Sequence, residues 1–109
     1  MITTCVFCNI RHENLVPTVH SNGTSAESLV EGLSAAIDAL HEAQRLMCEA
    51  APNGRDYYVQ GNLAAGAAMD AHERRLINLN RMLTELEEQR NHVQAVIDYK
   101  EVRKSQEAR

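Results

Sequence analysis

NLAAGAAMDAHERRLINLNRMLTELEEQRNHVQAVIDYKEVRK, residues 62–104, carries a heptad pattern. Met69, Leu76, Leu83, Arg90 and Ile97 fall on one position of the repeat; His72, Leu79, Leu86 and Val93 fall on the other. Met82 and Val96 stand beside that seam and widen the apolar stripe, which is the period of a helix packed along one face. The stretch has no proline, and after Gly66 no glycine, so one unbroken helix is expected over 62–104. Forty-odd residues at 1.5 Å each reach ~60 Å.

Working back from it, residues 52–61 read PNGRDYYVQG, and Pro52-Asn53-Gly54 stops whatever helix comes before. Upstream, Leu29, Leu33, Ala36, Ile37, Leu40, Ala43 and Met47 recur on one face, with Glu27, Glu31, Asp38, Glu42, Arg45 and Glu49 on the other. Asn22-Gly23 forms a turn, Thr24 is placed to cap, and Glu27 completes a T-x-x-E capping box, so the first helix is expected over 24–51, about 40 Å long. These residues specify a single all-α domain, an antiparallel two-helix hairpin whose second helix is longer. Its overhang is expected at 89–104, where Val93, Val96, Ile97 and Val102 need cover. The N-terminal segment or a second copy of the chain can supply it, and the expectation is a homo-oligomeric helical bundle.

Residues 1–22 are rich in β-branched types, and Pro17 bars a helix through that point. A strand at about 2–9, a polar turn around 11–14 and a second extended piece to His20 are expected, giving a short extended or β N-terminal arm. An isolated hairpin is marginal in water, so the arm must pack on something.

Composition narrows the function classes. Hydrophobic residues make up 44% of the 109, too many for a disordered chain. The net charge of −4 disfavours nonspecific nucleic-acid binding, which needs surplus cations. No apolar run is long enough for a transmembrane helix, and the N-terminus has no secretory h-region. Three cysteines are no secreted disulfide framework, and a cytoplasmic, bacterial-host location is expected.

The loop at 52–61 is the strongest candidate for ligand binding. Tyr57 and Tyr58 offer flat faces for stacking, Arg55 forks onto phosphate or carboxylate, Gln60 adds an amide, and Gly61-Asn62 opens a helix whose free N–H groups attract anions. The alternative is a turn whose tyrosines plug the hairpin end while Arg55 pairs with Asp56. His72 and Arg75 share a face beyond the loop, either reaching a ligand or standing as a seam histidine and an exposed arginine. Arg90 on the seam should meet a carboxylate or lie where the seam is open. Residues 20–25, HSNGTS, form a second anion-nest candidate through Asn22 and Thr24, ~40 Å away along the first helix.

Cys5 and Cys8 with His12 and His20 make a tetrahedral zinc set in number. Against it, Cys5 and Cys8 would face opposite ways on a strand, and they serve equally as small packing residues. The carboxylates sit on solvated faces, and no Ser/His/Asp pattern or P-loop occurs, so neither catalysis nor a cofactor is expected.

The strings HSNGTS (20–25), PNGRDYYVQG (52–61) and HERR (72–75) resemble a pattern in short helical proteins encoded by bacteriophages, prophages and other mobile elements. The resemblance covers about residues 20–90 and carries no activity with it. It implies a phage setting, where small oligomeric proteins often sequester nucleotide-like or other anionic defence signals. The leading expectation is therefore non-catalytic small-ligand binding that counters host defence. The alternatives are a protein–protein inhibitor or adaptor of a bacterial enzyme, and a zinc-stabilised nucleic-acid binder.

Overall fold

The computed structural model describes the backbone of residues 2–4 and 11–107 and the side chains of residues 14–107. Two antiparallel helices dominate, α1 (Ala26–Glu49) and α2 (Ala64–Glu107). Between them come two single 3-10 turns, Gly54–Asp56 and Tyr58–Gln60. Ahead of them, β1 (Ile2–Thr4) runs antiparallel to β2 (Arg11–Glu13), with Ile2 opposite Glu13 and Thr4 opposite Arg11.

α1 forms where the apolar spacing required it, but its cap is Ser25 rather than Thr24. Ser25 takes the extended backbone of a capping residue (φ −61°, ψ 150°), and its hydroxyl accepts from the Ser28 N–H at 3.2 Å. The helix so begins at Ala26, two residues later than expected, and ends at Glu49, because Ala50 turns its N–H back to Leu46 and Pro52 cannot continue it. On the outer face Arg45 holds both Glu42 and Glu49, the latter at 2.8 Å. The Arg45 guanidinium keeps the Glu42 carboxyl below the usual carboxylate range, and Glu42 in turn raises Arg45.

α2 starts at Ala64 rather than Asn62, since Gly61 takes a left-handed backbone (φ 115°) that breaks helical continuity. It then runs past Lys104, the expected end, to Glu107. At 1.5 Å per residue α1 spans about 36 Å and α2 about 66 Å. The surplus is not confined to 89–104. Ser25, Ala26 and Glu27 stand by Lys100, His41 faces Glu87 at 3.6 Å, and Ala51 and Pro52 lie against residues 69–76. α1 therefore accompanies α2 nearly to Lys100, and the surplus is divided between the first turns of α2 and its last two.

The core is the seam between the helices. Among the described residues, the buried apolar side chains are Ala26 and Ile37 from α1 and Leu79, Leu83 and Val93 from α2, with Val93 completely enclosed. Arg90, on the same seam, meets no carboxylate within ion-pair distance among the described residues. Its Nε and Nη2 donate to Asn91 Oδ1 at 3.4 Å, and it is half-buried.

The N-terminal segment differs from expectation. Residues 11–13 are not a turn but pair with 2–4, and Asn14, expected in the turn, is buried. Asn14 Nδ2 donates to the Glu85 carbonyl at 3.0 Å and to Glu88 Oε2 at 3.1 Å, while its Oδ1 accepts from Gln89 Nε2 at 3.0 Å. An asparagine can satisfy donor and acceptor demands at once, and this one docks the chain against α2. From there the half-buried Val16, Pro17 and Val19 lead along α2 toward Lys100.

No helix among the described residues is long and apolar enough to cross a membrane.

Candidate functional site

The connection between the helices forms the hairpin tip. Its backbone polarity is consumed locally: Tyr57 N–H donates to the Gly54 carbonyl at 3.2 Å, Gln60 to Tyr57 at 3.0 Å, and Gly61 to Tyr58 at 3.3 Å. Asn53 Oδ1 accepts from the Asp56 N–H at 3.3 Å and pins the first 3-10 turn. With the backbone closed on itself, the side chains are what the tip presents. Arg55 and Gln60 are exposed, Tyr57 is half-buried, and Tyr58 is exposed. Arg55 forms no ion pair or hydrogen bond among the described residues, so the Arg55–Asp56 pair of the alternative reading is not made.

The apolar character of this end was not expected. Tyr58 is 74% exposed, Val59 76%, Leu63 85% and Met69 57%, which is far from how isolated side chains of this size are usually left when a core is at hand. Beside them a shallow groove of about 250 Å³ lies between Ala51-Pro52 and Met69, Asp70, His72, Glu73 and Leu76. His72 is half-buried there, and its Nε2 is enclosed with no hydrogen-bond partner. Arg75, predicted as its companion, is exposed and does not line the groove.

The opposite end holds a polar cleft of about 420 Å³, lined by Val19, His20, Ser21, Gly23, Ser25, Ala26, Glu27 and Lys100. The His20 carbonyl accepts from Gly23 N–H at 3.1 Å, and the imidazole folds over that glycine so closely that a Cβ there would lie 2.8 Å from Nε2. The first-turn N–H groups of Ala26 and Glu27 have no acceptor within the helix, and Lys100 adds a cation; both favour an anion. The Glu27 carboxylate in the same cleft opposes it. Asn22 and Thr24, the residues expected to make this nest, are exposed and do not line it.

The two ends stand an α1 length apart, about 36 Å, so within one chain Arg55, Tyr57, Tyr58 and Gln60 share no site with the cleft. Two residues that matter here escaped attention in the sequence. Lys100 continues the heptad position of His72, Leu79, Leu86 and Val93, so the repeat itself placed it on the α1 side. Leu63 had no such signal, being one apolar residue before an alanine-rich helix start.

Of the proposed zinc set, Cys5 and Cys8 lie outside the described residues, the backbone of His12 pairs with Thr3, and His20 is committed to the Gly23 turn. Among the described residues no group of three His, Cys, Asp or Glu side chains is gathered to hold a metal. No family model matches the chain, and no curated protein and no solved structure gives a significant match to it.

Proposed function

We propose that this chain is a non-catalytic interaction protein, a helical hairpin that docks on another protein chain through its tip. The observation that carries it is the set of four apolar side chains at that end, Tyr58, Val59, Leu63 and Met69, each more than half exposed. Burying such groups stabilises a complex by about 25 cal/mol for each Å² removed from water, whereas they contribute nothing to the hairpin's own core. Oligomerisation, with the N-terminal residues as an extended or β arm, belongs to this reading. To test it, tagged wild-type protein and a Leu63→Glu/Met69→Glu variant are purified side by side. A stoichiometric protein partner, a further copy included, is expected with the wild type and not with the variant. A wild type that is monomeric and carries no stoichiometric chain overturns the reading.

A second reading rests on the cleft closed by Lys100 against the start of α1. There the protein takes a nucleotide-like or other anionic small ligand, and in a phage setting it would withdraw a defence signal from the host. Arg55, Tyr57, Tyr58 and Gln60 join that site only if a second copy brings its tip to the cleft. Calorimetric titration with nucleotides is the check: binding that Lys100→Glu abolishes supports the cleft, and binding indifferent to Lys100 removes it.

A further inference from the structure

Residues 14–22 take neither helix nor strand. Among the described residues, the hydrogen bonds that join this segment to the helices all run through one side chain, Asn14, to Glu85, Glu88 and Gln89. At the segment's other end Val19 and His20 stand by Lys100. The two anchor points agree in length. Extended chain from Asn14 to Val19 reaches about 16 Å, and helix from Gln89 to Lys100 rises about 16 Å. Gln89, Val93, Val96 and Lys100 follow one another at spacings of four, three and four, which places them on one face of α2. The segment therefore lies lengthwise over Val93 and Val96, and Val93 beneath it is completely enclosed.

We infer that residues 14–22 are a strap that opens as a unit while the two helices stay packed. Local opening costs least where few apolar groups are buried and no backbone ladder has to break. Here Val16, Pro17 and Val19 are only half-buried, and Leu15 is 78% exposed. The helix seam keeps core of its own when the strap is off, because the buried Leu79 and Leu83 precede the first anchor at Glu85. Where the strap joins α1, the Gly23 N–H donates to the His20 carbonyl at 3.1 Å and the imidazole folds over the glycine, so a single turn sets its direction. Opening bares Val93 and Val96, an apolar row that the closed chain withholds, at the end of the hairpin away from the tip. The strap is thus a built-in cover over a second surface, and it stands independently of what the tip binds.

Thiol modification of the full chain tests this, read peptide by peptide in a mass spectrometer so that the native cysteines are scored apart. Val93→Cys is compared with Leu83→Cys, whose site is buried in the helix seam outside the strap's span, across urea concentrations below the unfolding midpoint. Position 93 is expected to react at least tenfold faster than position 83. Its rate should also climb less steeply with urea, since opening a strap exposes less surface than unfolding the chain. Adding Asn14→Ala should speed the reaction at 93 about tenfold, because the strap's hydrogen bonds to α2 are then gone. Val96→Cys, at a half-buried site on the same face, provides a second reporter that should answer to Asn14→Ala in the same way should Val93→Cys disturb the fold. Equal rates and equal urea slopes at 93 and 83 would mean that strap and hairpin open only together, and the inference falls. Reaction at 93 and 96 that is indifferent to Asn14→Ala overturns it as well, since access then comes from parting of the helices.

Discussion

Two positions show how much a single residue decides here. Gly61 sits at φ 115°, ψ 171°, a region that costs any other residue about 1–3 kcal/mol. Gly61→Ala is therefore expected to destabilise by that amount, seen as a lowered denaturation midpoint, although no neighbour lies within 4 Å of the added methyl. A cost near zero would mean the turn relaxes to another geometry. Asn14 is the opposite case, a polar side chain valued for its partners. Asn14→Leu keeps the branched shape but removes the partner of Gln89 Nε2 and the second bond to the Glu85 carbonyl, so it should cost about 1–3 kcal/mol and speed hydrogen exchange in residues 14–19. Exchange left unchanged there would show that apolar contacts alone hold the segment.

At the scale of one element, α1 has two separable supports. Its cap is local: Ser25→Ala should lower stability by about 1 kcal/mol, while Thr24→Ala should do almost nothing, because only the Ser25 hydroxyl reaches a helix N–H. Its outer face is electrostatic. Glu42 has a lowered pKa in the folded chain because of Arg45, so the stabilisation from this pair is present above the unfolded carboxylate's pKa and is lost as pH falls through the folded one. Thermal melts from pH 6 down to pH 3 should show a small acid-side loss that Glu42→Gln reduces. The loss should also shrink in 1 M salt, since the group is on the surface. An identical acid limb in the variant would place the effect on other carboxylates.

At the scale of the whole molecule, length mismatch governs. A 44-residue helix cannot be covered by a 24-residue one, and the docked N-terminal segment protects only the stretch from Glu85 toward Lys100. Val93 lies where those layers meet and is wholly enclosed, so Val93→Ala should cost about 2–3 kcal/mol and weaken hairpin and arm together. A cost below about 1 kcal/mol would mean the arm does not close over it. The mismatch leaves apolar surface uncovered at both ends, Leu63 and Met69 at the tip and Tyr99 and Val102 in the last turns of α2.

The heptad of 62–104, the period of the first helix and the break at Pro52 were enough to determine an all-α hairpin with a longer second helix, because these signals are local and repeat many times. Tertiary structure alone decided the rest. The Ser25 cap depended on which of two adjacent hydroxyls had the right backbone angles, something composition does not encode. The position of the overhang depended on how the 14-residue connection positions one helix beside the other, since a loop of that length permits several registers. Asn14 looked like a turn residue because asparagine favours turns, yet its partners lie more than seventy residues away. The candidate residues of 52–61 were chosen for their chemistry, but whether side chains converge on a ligand or project outward is set by the fold around them, and here the exposed ones leave the tip open to another chain.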